Sequence, residues 1–255
     1  MPELQNISLR GASNIRDLSV VFPSIRPGKL LRGDHLHKIT EKDVRILTGK
    51  YNLTSIVDLR TPQEREEKPD IPILGVSTFS LPIFDESTAG ISREESSDAT
   101  SLADQVPDME SLYQTMVSDA CSPALSEALS RILQQAAKPG AVLYHCTAGK
   151  DRTGILSLLL LSLLNVPEDI IVEDYLFSNS AAEKQARRYY WLIRLFRHDK
   201  EAAEKVRRVF TAQEDFLSAA IERIVDTGHT VPSFITEVLH ISPAEIENFR
   251  NAVFL

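Results

Sequence analysis

The stretch from Ala141 to Val166 constrains this chain more than any other. Ala141-Val142-Leu143-Tyr144-His145 follows the breaker Lys138-Pro139-Gly140 and reads as a short buried strand. A loop of small and charged residues, Cys146 to Thr153, comes next. It leads into about thirteen residues, Gly154 to Val166, that are apolar on every side. A run that short cannot cross a bilayer, which takes roughly 20 residues. It predicts a helix enclosed in a protein core.

The same rhythm recurs elsewhere. Thr54–Leu59 and Val76–Leu81 read as strands, and Pro62 suits the first turn of a helix over 63–67. Residues 123–137 place Leu125, Leu129, Ile132 and Leu133 at helical spacing. Beyond 167 the pattern predicts helices only, over 167–178, 181–197, 200–224, 232–239 and 243–253, the last with the capped start Ser242-Pro243-Ala244-Glu245. Strands separated by helices predict an α/β fold, a central and mainly parallel sheet flanked by helices. At 255 residues, with no linker between complete patterns, the chain reads as one domain over 1–255. Residues 85–108, rich in serine and acid, read as a flexible acidic insertion.

Charge excludes one broad class. The net charge is −8, so a general nucleic-acid binder is not expected. Residues 181–210 run against this trend, with nine Lys/Arg and four Asp/Glu. There Arg187, Arg188, Arg194, Arg197, Lys205, Arg207 and Arg208 interleave with Tyr189, Tyr190, Trp191, Leu192, Leu195 and Phe196. The segment reads either as a helix with one solvated face or as a peripheral membrane contact through 187–208. Two cysteines, Cys121 and Cys146, give no disulfide framework, and the N-terminus shows no secretory signal pattern. The expectation is a cytoplasmic monomer, with secretion by a route lacking a standard signal left open.

The chemistry lies in His145-Cys146-Thr147-Ala148-Gly149-Lys150-Asp151-Arg152-Thr153-Gly154. A loop entering a helix N-terminus presents unpaired amides and the positive end of the helix dipole, so it suits a tetrahedral anion. Ala148 and Gly149 let the backbone of Thr147–Lys150 curl around it, and Arg152 offers a planar fork for two oxygens. The same surroundings favour a Cys146 thiolate, which makes it a nucleophile aimed at phosphorus. Lys150 adds a second cation. Thr153 can hydrogen-bond the sulfur, and His145 reads as a residue that orients the loop. Asp34-His35-Leu36-His37 is not followed by matching ligands, so no metal is expected.

His145-Cys146-x5-Arg152-Thr153-Gly154 resembles the signature of cysteine-dependent protein tyrosine phosphatases. HCTAGKDRTG is similar to the loop of an atypical family of the mycobacterial secreted phosphatase B type, with bacterial and fungal members. The likeness extends to Asn14-Ile15-Arg16-Asp17-Leu18, although Ser19-Val20 stands where that family has Gly-Gly. It also takes in Leu31–Asp34, Val57–Thr61 with Glu64 close by, Asp174-Tyr175-Leu176 and Pro243–Val253. This resemblance implies a tyrosine phosphatase-like fold, with a helical lid within 181–224. It implies hydrolysis of a phosphomonoester through a phosphocysteine, without cofactor, on phosphotyrosine in a protein, on a phosphoinositide, or on both. The lone Trp191 is not part of a Trp-Pro-Asp loop, so the resemblance offers Asp151 as the general acid. Arg152 and Lys150 oppose protonation there and a bound phosphate dianion favours it. Asp85 is the rival. Arg16, Asp17, Asp58 and Arg60 are expected to form ion pairs bracing the floor of the site. Two other classes stay open at this point, a non-catalytic phosphate-binding module and a thiol-redox or sulfur-transfer protein.

Overall fold

The computed structural model describes residues 4–84 and 108–255. The strands are β1 (Arg16–Asp17), β2 (Leu30–Gly33), β3 (Leu53–Asp58), β4 (Ser77–Ser80) and β5 (Ala141–His145). They form one sheet in the order β1-β2-β5-β3-β4, parallel throughout except for the antiparallel pair β1–β2. The helices are α1 (Glu41–Arg45), α2 (Pro62–Glu67), α3 (Met109–Met116), α4 (Ser122–Ala136), α5 (Asp151–Leu163), α6 (Glu168–Phe177), α7 (Asn179–Phe196), α8 (Lys200–Phe210), α9 (Glu214–Asp226) and α10 (Pro243–Val253). Among the described residues no helix is long and apolar enough to cross a membrane.

Strand β5 sits at the centre because it is apolar on both faces. Ala141 and Leu143 pack with Leu31, Leu36, Leu53 and Ile56 on one side. Val142 and Tyr144 pack on the other, against the core built on α4 and α5. Helix α5 is buried on every side from Asp151 to Leu161, as its composition predicts. The register sets Gly33, His145 and Asp58 side by side at the carboxyl ends of three parallel strands. That edge is where an open α/β sheet offers its ligand crevice.

Local chemistry explains several helix starts. Thr61 caps α2 in a reciprocal box with Glu64, and Ser242 does the same for α10 with Glu245. The expected helix over 200–224 is in fact two. Thr211 is extended, and the Asn179 side chain binds both the amide and the carbonyl of Ala212, at 2.7 and 2.9 Å, pinning the break. The lid expected over 181–224 divides at the same place. Helices α7 and α8 form a hairpin with its own small core of Ala186, Ile193, Ala203, Val206 and Phe210. Helix α9 instead sends Phe216, Leu217, Ala220 and Ile224 into the main core. The acidic insertion lies, except for Asp108, outside the described residues, as does Asp85.

Candidate active site

The loop between β5 and α5 is held from outside by its carbonyls. Asn14 Nδ2 donates to the carbonyls of Ala148 (2.9 Å) and Gly149 (3.3 Å). Arg32 donates to Gly149 O at 3.0 Å, and the amide of His35 donates to Thr147 O at 3.2 Å. His145 Nδ1 lies 3.1 Å from Cys146 O. In a planar trans peptide the C=O of one residue and the N–H of the next point opposite ways. Four carbonyls tied outward therefore turn the amides of Thr147 to Lys150 inward. Those of Thr147, Ala148 and Gly149 donate to no described residue. Gly149 has φ +69°, and a Cβ there would meet Gly33 backbone at 2.3–2.4 Å, so the curl requires glycine.

Around this cup the side chains of Cys146 and Arg152 are buried. Cys146 is 2% exposed, and a negative charge on it acts on Arg152. Arg152 is gripped end-on by Glu64, with Nη1–Oε2 at 2.6 Å and Nη2–Oε1 at 2.7 Å. Thr147 Oγ1 donates to the same carboxylate at 2.6 Å. Burial opposes charge on both partners, but the pairing outweighs it. Arg152 is held above the ordinary arginine value and Glu64 is pulled down to about 2. Glu64 thus belongs to the site itself. Its signal in the sequence was position, three residues after the N-cap Thr61, where one carboxylate can both cap the helix and face the loop.

Asp151 opens α5 and is 8% exposed. Its Oδ1 accepts from Tyr113 OH at 2.5 Å, and Tyr113 OH lies 2.7 Å from Tyr175 OH. Burial first, then the Asp151 charge, push both phenols well above 10. Gly154 leaves room for the Tyr175 ring, whose Cδ2 would lie 2.9 Å from an added Cβ. Neither tyrosine could be assigned to the site from sequence, because both arrive from distant helices.

The sequence reading takes Lys150 as a second cation of the site. Its amine donates to Val209 O at the end of α8 and lies 3.6 Å from Asp151 Oδ2. The Thr153 hydroxyl is fully buried with no partner among the described residues. Both cysteines are buried and neither is in a disulfide, and Cys121 is part of the main core.

The floor contains two ion networks. Arg16 and Arg32 both bind Asp174, at 2.7 and 2.5 Å, with all three side chains fully buried. Asp17 takes no part and instead accepts from the amides of Ser19 (3.0 Å) and Gly28 (2.6 Å). Arg60 binds Asp58 at 2.7 Å and Asp70 at 2.9 Å. His145 Nε2 stands 3.0 Å from Asp70 Oδ2, off line for a hydrogen bond. Burial disfavours a charged His145, but Asp58 and Asp70 outweigh it and raise its pKa. Asp58, Asp70 and His145 bring ligand atoms within 4.8 Å of one another. Arg60 already binds both carboxylates, so the cluster is a charge-compensated brace under the loop.

A cavity of about 630 Å³ opens beside the loop, lined in part by Arg10, Lys38, Lys68, Thr147, Ala148 and Lys150. Partial burial and then the neighbouring Lys38 lower Lys68. Burial brings His35, also in the wall, down to about 4, so it is uncharged at neutral pH. Asp34 is occupied by Ser13 and by the amide of Asn14. With Arg10, Lys38, Lys68 and Lys150 against Asp34, the charged side chains of the lining are mostly basic.

Glu64→Gln tests the grip on Arg152. A depressed carboxyl contributes stability that is present above its ordinary value, 4.5, and is lost as pH falls through about 2. The variant should flatten the acid-side fall in stability over that window, read from urea midpoints at several pH values. Turnover should fall roughly 10- to 100-fold as Arg152 loses its fixed position. An unchanged acid slope together with unchanged turnover would show that Arg152 needs no anchor.

Known families and proteins bear the same likeness. The model of a family described as "Tyrosine phosphatase family" matches residues 7–254. The triple specificity protein phosphatase PtpB of Mycobacterium tuberculosis is 26% identical over 273 residues, which cover 96% of this chain and 98% of that protein. A tyrosine-protein phosphatase of Nostoc commune is 34% identical over 159 residues, covering 62% of this chain and 50% of that one.

Proposed function

The chain belongs to the tyrosine phosphatase family, and from that premise we propose that it hydrolyses phosphotyrosine and phosphoinositide monoesters through a phosphocysteine on Cys146. One observation carries the reading: the amides of Thr147, Ala148 and Gly149 are turned inward with no partner among the described residues, over a buried Cys146 and an anchored Arg152. A phosphate in the cup completes those amides, and Arg152 offsets its charge as the equatorial oxygens develop it.

The Cys146 sulfur attacks phosphorus, the bond to the leaving oxygen breaks, and Asp151 delivers a proton to that oxygen. Water then attacks phosphorus and gives its proton back to Asp151, and the P–S bond breaks to return the thiolate. The Thr153 hydroxyl, buried without an acceptor among the described residues, is suited to donate to that sulfur as it departs. Leaving such a group unpaired costs about 1–3 kcal/mol. The mostly basic lining of the cavity favours substrates with negative charge beyond the reacting phosphate.

The competing classes part on one experiment. Enzyme quenched in acid during turnover of an aryl phosphate should carry one phosphoryl group on the peptide containing Cys146. A persulfide there, or an unmodified peptide with no turnover, would replace this reading with sulfur transfer or with simple phosphate binding.

A further inference from the structure

Helix α7 presents an outer face for which the fold has no use. Lys184, Arg188, Trp191 and Leu195 lie at i, i+4, i+7 and i+11, and Arg187 flanks them, so they form one stripe. All five are exposed, Trp191 by 61% and Leu195 by 66%, and Phe196 beside them by 67%. The opposite side holds Ala186 and Ile193 against α8, with Tyr189 stacked on Phe210 at 4.5 Å. Burial of the hairpin's own core therefore leaves the stripe outside.

Six basic residues of the hairpin fall into two groups. On α8, Lys205, Arg207 and Arg208 are neutralised by Glu201, Glu204 and Asp215. On α7, Lys184, Arg187 and Arg188 have no ion-pair partner among the described residues. Three unneutralised cations next to an exposed indole and two exposed apolar side chains form the pattern of an interfacial helix. The rings and aliphatic groups enter the headgroup boundary while the cations meet lipid phosphates. On a chain of net charge −8, an anionic surface repels the bulk of the molecule and attracts this face, which fixes orientation.

We infer that the outer face of α7 docks on an anionic lipid bilayer. Round the side of the same helix, Ala181, Ala182 and Gln185 line the cavity beside the loop, so docking brings the cavity near the headgroups. The inference concerns where the protein sits and stands apart from the chemistry at Cys146.

Trp191 is the only tryptophan in the chain, so tryptophan fluorescence, excited beyond the tyrosine absorption band, reports on this face alone. With the full-length protein, vesicles of phosphatidylcholine and phosphatidylserine should shift its emission to the blue and co-sediment the protein. Vesicles of phosphatidylcholine alone should do neither. Each cation near such a surface is worth roughly a five-fold change in affinity. K184A/R187A/R188A should therefore weaken binding about 100-fold, with turnover of a soluble aryl phosphate unchanged. Raising salt on the unaltered protein should release it. No blue shift on anionic vesicles overturns the inference, as does an equal shift on neutral ones. A shift that grows with protein concentration without vesicles assigns the face to a second copy and overturns it as well. Absent aryl phosphate turnover in the unaltered protein would count against the phosphatase reading and leave the vesicle result standing.

Discussion

Cys146→Ser should cut turnover by roughly 10⁴-fold or more while leaving phosphate binding in place. The two results separate because the proposed mechanism gives them to different atoms. Binding rests on the amides of Thr147, Ala148 and Gly149 and on Arg152, which Glu64 holds without help from the sulfur. Catalysis rests on the sulfur, and a serine hydroxyl in its place is neutral and a far weaker nucleophile. The substitution shortens a buried side chain by little, and Cys146 O keeps its contact with His145, so the cup should persist. Turnover of an aryl phosphate measures the first effect. The rise in melting temperature with added inorganic phosphate measures the second, since a ligand that binds only the folded state stabilises it. Near-normal turnover would end the phosphocysteine mechanism. Loss of phosphate stabilisation together with turnover would mean that the sulfur, and not the backbone, builds the cup.

The parts of this protein that were legible in its sequence are the parts encoded locally. Strand β5 and helix α5 announce themselves because each is apolar on all sides, which few other states explain. The cup follows from them, since a strand must reach a helix within five residues. Boundaries set by tertiary contacts were not legible. Nothing in the apolar pattern of 200–224 marks the break at Thr211, because the bonds that fix it come from Asn179. Strand β1 is two residues long, and its Arg16 is held by Asp174, 158 positions away. The expectation that Arg16 and Asp17 would share one ion-pair floor failed for a related reason. Adjacent residues on a strand point to opposite faces, so one met Asp174 and the other the turn at Gly28. The same limit hid Tyr113 and Tyr175. A residue that acts by touching Asp151 leaves no mark at any fixed spacing from it.

Asp151→Asn should separate substrates by their leaving groups. An amide of the same shape fills the space and still offers an oxygen to Tyr113, whose hydroxyl lies 2.5 Å from Oδ1, but it has no proton to give. A leaving phenolate already stable near neutral pH needs none, and its turnover should fall only several-fold. The tyrosine side chain, with a pKa near 10, and the aliphatic oxygen of an inositol do need one. Their turnover should fall by roughly 10²- to 10⁴-fold, the range of a lost general acid. The measurement is kcat/KM across aryl phosphates of graded acidity: the slope against leaving-group pKa should steepen in the variant. Tyr113→Phe serves as the control for packing, because it removes the contact on Oδ1 and leaves the carboxyl in place, so its slope should stay close to that of the unaltered enzyme. Equal losses on good and poor leaving groups would show that Asp151 positions the loop through Lys150, 3.6 Å away, and would move the proton to Asp85. Asp151 is the stronger assignment because it is covalently part of the helix turn that carries Arg152. The acid and the phosphate ligand then hold one fixed distance whatever the substrate brings with it.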